Sequence, residues 1–251
     1  MQEMIRQKLN EIERTENVRI LHAAEAGSRA WGFASPDSDY DVRFIYLRPK
    51  EFYLRLDKTR DVIEWQLDDT LDINGWDVQK ALRLLHGSNP TLFEWNASPI
   101  LYRTTDAWRT AAAAMAAHFS LHAAMRHYLG TAKGNYREYL KGETVRLKKY
   151  FYVLRPILAC LWIADRHTPP PVPFAALADA YLDPRIRREV GELLRVKVRT
   201  PELGTGPRID AVNAYIDETL ARLEEEIRRL PAEPPVGWND LNALFLSLLD
   251  G

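Results

Sequence analysis

The chain has 251 residues, with 34 basic and 35 acidic side chains and a formal net charge of −1. Apolar residues make up 46% and charged residues 27%, the balance of an ordinary globular protein with a buried core. The single cysteine, Cys160, excludes an intrachain disulfide framework and a cysteine-built zinc site. There is no apolar run of the roughly 18 residues that a membrane span needs. The charged opening segment does not read as a signal peptide, so the expected compartment is the cytoplasm.

In chain order, residues 1–15 predict a helix, because Met4, Ile5, Leu9 and Ile12 recur at helical spacing. Val18 to Ala24 reads as a short buried strand. The stretch that follows, GSRAWGFASPDSD, is rich in Gly, Ser, Pro and Asp and predicts a helical turn and then a loop. DYDVRFIYLR, dominated by aromatic and β-branched residues, predicts a strand. Residues 51–58 predict a short helix. DVIEWQL and TLDING predict two more strands, with Asp68 and Asp69 marking the turn between them.

From Trp76 the pattern becomes helical. Val78, Leu82 and Leu85 share a face, and Gly87 stops the helix. SNPTLFEW predicts a turn entering a short helix. Helical tracts follow over 105–133 and 135–165, with a stiff TPPPVP linker at 168–173. Arg208 to Leu230 is amphipathic, and a last helix is expected near 238–250. The fold class expected is therefore α+β: a small mixed sheet in a catalytic domain over residues 1–100, then a helical domain over 101–251.

Charge is unevenly spread. Residues 1–100 carry 13 basic against 17 acidic side chains, residues 101–200 carry 17 against 8, and residues 201–251 carry 4 against 10. A basic middle between acidic flanks suits contact with polyphosphate or nucleic acid, or a helical face that packs against the acidic flanks.

The chemistry-bearing segment is Gly27-Ser28, ten residues, then Asp39-Tyr40-Asp41. Strand side chains alternate, so residues two apart share a face. Two carboxylates placed in this way repel each other, and a divalent cation removes the conflict. Nucleotidyl transfer uses such cations to activate a hydroxyl and to neutralise leaving pyrophosphate. Gly27 and Ser28 supply a small turn that lets backbone N–H groups approach phosphates, and Arg29 adds charge. Taken alone, Asp-x-Asp more often marks a solvated turn.

The Gly-Ser element, spacer and Asp-x-Asp on a strand resemble the signature of the DNA polymerase β nucleotidyltransferase superfamily. LDINGWDVQKALRLLHGSNPTLFEW, followed by SPILY, and KKYFYVLRPILAC at 148–160 resemble its RNA ligase-associated, or RNA repair pathway, nucleotidyltransferases. The matching pattern is Asp72, Lys80, Ser88-Asn89-Pro90 and Glu94.

This resemblance implies transfer of a nucleoside monophosphate from a nucleoside triphosphate such as ATP to a hydroxyl, with Mg²⁺ or Mn²⁺ as cofactor. It implies an RNA or DNA end as acceptor. It also implies a third catalytic and metal-holding carboxylate beside Asp39 and Asp41; Asp72 fits best, with Asp77 and Glu64 as rivals. Asp77 reads as a first-turn helix residue suited to the dipole.

Lys148, Tyr152 and Arg155 share one helical face, while Lys149 groups with Tyr152 and Val153. The resemblance tips this helix, through Lys149 and Arg155, toward holding the nucleotide; otherwise it is an amphipathic helix with solvated cations. The basic run Arg185 to Arg199 reads as a solvated face. His22 and Trp65, Trp76 and Trp95 read as core. His118 and His122 have metal-binding spacing but no third ligand nearby. Two rival functions stay open: a non-catalytic nucleotide or nucleic-acid binder, and an antitoxin-like nucleotidyltransferase that modifies a partner protein.

Overall fold

The computed structural model describes residues 1–68, 70–200, 204–231, 233 and 236–250. These divide into two units, one formed by residues 1–30, 39–119 and 235–251, the other by residues 31–38 and 120–234.

The first unit opens with helix α1 (Gln2–Glu16), whose Ile5, Leu9 and Ile12 are buried. Asn17 ends it in the left-handed conformation, where an asparagine side chain is tolerated. Strand β1 (Arg19–Glu25) leads through a single helical turn, α2 (Gly27–Ala30), and onward to β2 (Tyr40–Leu47). After the short helix α3 (Lys50–Tyr53), strands β3 (Val62–Asp68) and β4 (Leu71–Asp77) form a hairpin. Asp69, expected in the turn between them, lies outside the described residues. Helices α4 (Val78–His86) and α5 (Pro90–Asn96) follow. Strand β5 (Leu101–Thr104) and helix α6 (Asp106–Ala113) come next, then a 3₁₀ turn over Met115–His118.

The five strands form one mixed sheet in the order β3-β4-β2-β1-β5. All neighbours run antiparallel except β2 and β4, which are parallel with Asp41 opposite Asp72. The sheet is covered on both faces over its apolar half. Val42, Phe44, Tyr46 and Ile73 pack with Ile5, Leu9 and Ile12 of α1 on one face. On the other, Leu21, Ile45 and Leu47 pack with α4, α5 and α6. Sheet neighbours Phe44 and Gly75 are fitted to each other: a Cβ on Gly75 would meet the Phe44 ring at 2.2 Å.

The second unit is built around α7 (Leu121–Tyr139) and α8 (Lys149–Arg166), with a two-stranded ribbon of β6 (Thr144–Arg146) and β7 (Thr205–Pro207). Helices α9 (Phe174–Tyr181), α10 (Arg187–Lys197) and α11 (Asp210–Arg229) complete it. Buried Asn213 links these elements: it accepts from the Tyr150 hydroxyl at 2.7 Å and donates to the Leu140 carbonyl at 2.8 Å. The last helix, α12 (Asn239–Asp250), belongs to the first unit, where Leu241 and Leu248 enter the core that holds Leu82 and Trp95.

The expected α+β class with a small mixed sheet is the class observed. Some local expectations change. The tract 105–133 is interrupted around Ala114–Ser120, and β5, β6 and β7 appear where no strand was expected. These are strands of three or four residues, too short for alternation to show, and their existence depends on the partner strand. The helix expected over 51–58 is a single turn at 50–53.

Candidate active site

Asp41 and Arg43 lie on the β2 face that continues into Ile45 and Leu47, at the end of the strand where apolar cover has run out. Because β4 runs parallel and in register, Asp72 sits directly across from Asp41. A guanidinium joins them: Arg43 Nη2 donates to Asp41 Oδ1 at 3.0 Å and to Asp72 Oδ2 at 2.7 Å. Its Nη1 donates to the carbonyls of Val42 and Asp72, each at 3.1 Å. Asp39 precedes β2 and is exposed; Asp72 is exposed as well, and Asp41 is half-buried.

Burial pushes the Asp41 carboxyl above its ordinary value. The Arg43 cation opposes that rise, while the charges of Asp72 and Asp39 add to it.

The Gly-Ser element is fitted to Asp41. Gly27 has φ +58°, the left-handed region where glycine carries no steric cost. A Cβ at Gly27 would lie 2.1 Å from Asp41 Oδ2, so any side chain there displaces the carboxylate. The Ala26 N–H donates to the Asp41 carbonyl at 2.8 Å. Ser28 is buried. Arg29 donates from Nε to the Asp39 carbonyl at 3.1 Å, and its guanidinium carbon lies 3.6 Å from the centre of the Tyr40 ring.

Two residues that sequence reasoning passed over hold this arrangement in place. Glu25, 1% exposed at the end of β1, accepts the Asp41 N–H on Oε1 at 2.8 Å and the Tyr102 hydroxyl on Oε2. Burial pushes the Glu25 carboxyl up, and the hydrogen bonds from Tyr102 and Asp41 oppose this. Tyr102 comes from β5, so no local pattern could announce it. Arg43 was legible in principle: two residues beyond Asp41 on a strand, it had to share the face.

Asp77 sits at the far end of β4. It caps α4, accepting from Gln79 N–H at 2.8 Å and from the Tyr53 hydroxyl at 2.9 Å. Glu64 is exposed on β3 and pairs with Arg60 at 3.3 Å. Lys80 pairs with Asp61 at 3.1 Å. Asn89 caps α5 by accepting from Thr91 N–H at 2.9 Å, with Pro90 at the first helical position.

Lys149 and Arg155 belong to the second unit. The Lys149 ammonium lies 4.0 Å from the centre of the Tyr139 ring and 4.9 Å from that of Tyr152, and burial lowers its pKa. Arg155 is buried; it donates to the Val172 carbonyl at 3.3 and 3.2 Å and lies over the Trp31 ring. In the basic run, Arg185 pairs with Asp183 and Glu218, and Arg188 with Glu189.

Among the described residues, no three His, Cys, Asp or Glu side chains are drawn together closely enough to form a metal site. The oxygen-only donors of Asp39, Asp41 and Asp72, with their mutual charge conflict, nonetheless have the chemistry that suits a hard divalent cation. Among the described residues, no helix is long and apolar enough to cross a membrane.

The chain is 42% identical over 254 residues to the uncharacterised protein YcgL of Bacillus subtilis (strain 168), covering all of this chain and 97% of that one. Among solved structures it is similar to a spectinomycin adenyltransferase from Enterococcus faecialis, solved with ATP and spectinomycin. That match has 14% identity, covers 89% of this chain and 98% of the other, and has a TM-score of 0.40. It is also similar to a nucleotidyltransferase-like protein from Exiguobacterium sibiricum 255-15, with 14% identity, 98% and 90% coverage, and a TM-score of 0.33. The model of one family matches residues 1–247. The chain belongs to that family, the RNA repair pathway DNA polymerase beta family.

Proposed function

We propose that this protein is a divalent-metal-dependent nucleotidyltransferase that moves a nucleoside monophosphate from a nucleoside triphosphate to a hydroxyl at an RNA or DNA end. Family membership supports nucleotide transfer as the class of reaction. The observation that carries the finer reading is the parallel register of β2 and β4, which sets Asp41 opposite Asp72 beside the Gly27 turn.

In this reading Asp39, Asp41 and Asp72 hold Mg²⁺ or Mn²⁺. When bound, the ions supply charge neutralisation for the triphosphate and lower the pKa of the attacking hydroxyl. The acceptor oxygen forms a bond to the α-phosphorus, the bond from that phosphorus to the bridging oxygen breaks, and pyrophosphate leaves. In this reading Asp72 takes the hydroxyl proton. Gly27 and Ser28 seat the triphosphate in this reading, and the absence of a Cβ at Gly27 lets the Asp41 carboxylate lie against the turn. Arg29 orients the turn through the Asp39 carbonyl.

The test is incubation with labelled nucleoside triphosphates, Mg²⁺ or Mn²⁺, and a panel of RNA, DNA and protein acceptors. Label transferred to an RNA or DNA end is the expected result, lost on chelation. Label on protein would replace the acceptor, and no label on any acceptor would reject the reading.

A further inference from the structure

Arg43 is the one side chain among the described residues whose hydrogen bonds join Asp41 to Asp72. Its Nη2 is shared between the two carboxylates, at 3.0 and 2.7 Å. Its Nη1 is tied to the backbone of both strands, through the carbonyls of Val42 and Asp72. Four contacts hold a planar, permanently charged group in one orientation, and its side chain is only 18% exposed. Two neighbouring carboxylates without a cation would repel each other. Each of these carboxylates has one oxygen on Arg43 and one without it; the second oxygen of Asp41 faces Gly27.

We propose that Arg43 is a positioning residue: a resident countercation that keeps Asp41 and Asp72 ordered in the metal-free protein and competes with a divalent cation for their oxygens. It thereby sets how tightly the site takes up metal before the nucleotide arrives. This rests on the reading of Asp41 and Asp72 as metal holders. A purely structural ion pair would add a little stability and leave metal affinity unchanged. A competing cation weakens metal uptake while it stabilises the empty site, so the two roles separate experimentally.

The experiment titrates Mn²⁺ into the full chain without nucleotide and follows free Mn²⁺ by electron paramagnetic resonance. The proteins compared are wild type, Arg43→Gln, Arg43→Lys and Asp41→Asn. Arg43→Gln is expected to bind Mn²⁺ about tenfold more tightly, since one unit of nearby positive charge is gone. Arg43→Lys, which keeps the charge and loses the fork, should fall between. In chelator, Arg43→Gln should melt lower than wild type, and saturating Mn²⁺ should close that gap. Equal or weaker Mn²⁺ binding by Arg43→Gln, with native circular dichroism, overturns the role given to Arg43 and leaves the metal site standing. So does a melting deficit that Mn²⁺ leaves unchanged. If neither wild type nor Arg43→Gln binds Mn²⁺, or if Asp41→Asn binds it as well as wild type, the metal-site reading fails and takes this role with it.

Discussion

At the scale of single residues, the site depends on few atoms. Asp41→Asn and Asp72→Asn each keep the shape of the side chain and remove a charge that would hold the cation. Each is expected to cost about three orders of magnitude in labelled-nucleotide transfer, since metal-based charge stabilisation is worth several kcal/mol. Neither should unfold the protein by circular dichroism. Gly27→Ala acts sterically. The backbone there is left-handed, and the new methyl carbon would fall 2.1 Å from Asp41 Oδ2. A stability loss of about 1–2 kcal/mol is expected in denaturant melts. Activity should fall further than stability, because the displaced atom belongs to a carboxylate of the site.

At the scale of elements, the two aspartates of β4 do different work. Asp77 is buried at the strand's end, bonds to Gln79 N–H and the Tyr53 hydroxyl, and starts α4. Asp77→Ala should cost about 1–2 kcal/mol as a lost cap, with further loss from the orphaned Tyr53 hydroxyl. Turnover per folded molecule should be kept. If Asp77→Asn abolishes turnover while Asp72→Asn does not, the roles given to them are reversed.

Strand β1 carries a pH-sensitive element. His22 is buried, stacked on Trp108 at 5.5 Å, and its Nε2 lies 3.1 Å from the Trp95 carbonyl, which requires the proton on that nitrogen. Burial lowers its pKa from the ordinary 6.5. The folded state therefore favours neutral imidazole. That stabilisation is full above the ordinary value and is lost as pH falls through the lowered folded-state value. Melting temperature should drop between pH 7.5 and pH 5, and His22→Gln should flatten that part of the drop. An unchanged slope in the variant would remove His22 from the acid response.

At the scale of the whole molecule, sequence neighbourhood and spatial neighbourhood part company. Helix α12 is more than a hundred residues beyond α6, yet Leu241 and Leu248 share a core with Leu82 and Trp95. Lys50 pairs with Asp250 at 3.0 Å, and Arg19 donates to the Leu248 carbonyl at 3.0 Å. Leu241→Ala should therefore destabilise the first unit by about 2–3 kcal/mol, the usual cost of truncating a buried leucine. Protection of β1 and α4 amides in hydrogen exchange is the measurement that checks it. The segment 31–38 shows the same separation in reverse. It lies between Ser28 and Asp39 in sequence, but its Phe33 packs with Phe151 and Phe174 of the second unit.

Legibility followed the range of the interactions involved. Helix α1 and strand β2 were readable because their signals lie within a turn or a strand: Ile5, Leu9 and Ile12 at helical spacing, Asp39 and Asp41 two apart. Asp77, expected in the first turn of α4, instead ends β4 and caps the helix. Tyr102 on Glu25 was not readable, since 77 residues separate them and a four-residue edge strand brings them together. Arg155 was expected, through the family resemblance, to hold the nucleotide, with a solvated cation as the alternative. The structure buries it against the Val172 carbonyl and the Trp31 ring, a setting decided by residues from two other segments.

By itself the sequence determined the fold class, the positions of the Gly-Ser and Asp-x-Asp elements, and the sharing of one face by Asp41 and Arg43. These follow from backbone periodicity and glycine's freedom at positive φ, which act locally. Tertiary structure alone decided that β4 lies parallel to β2 with Asp72 across from Asp41, that Arg43 joins the two carboxylates, and that Glu25 with Tyr102 holds Asp41 from behind. Strand pairing and register depend on which surfaces are buried together, and no short stretch of chain contains that information.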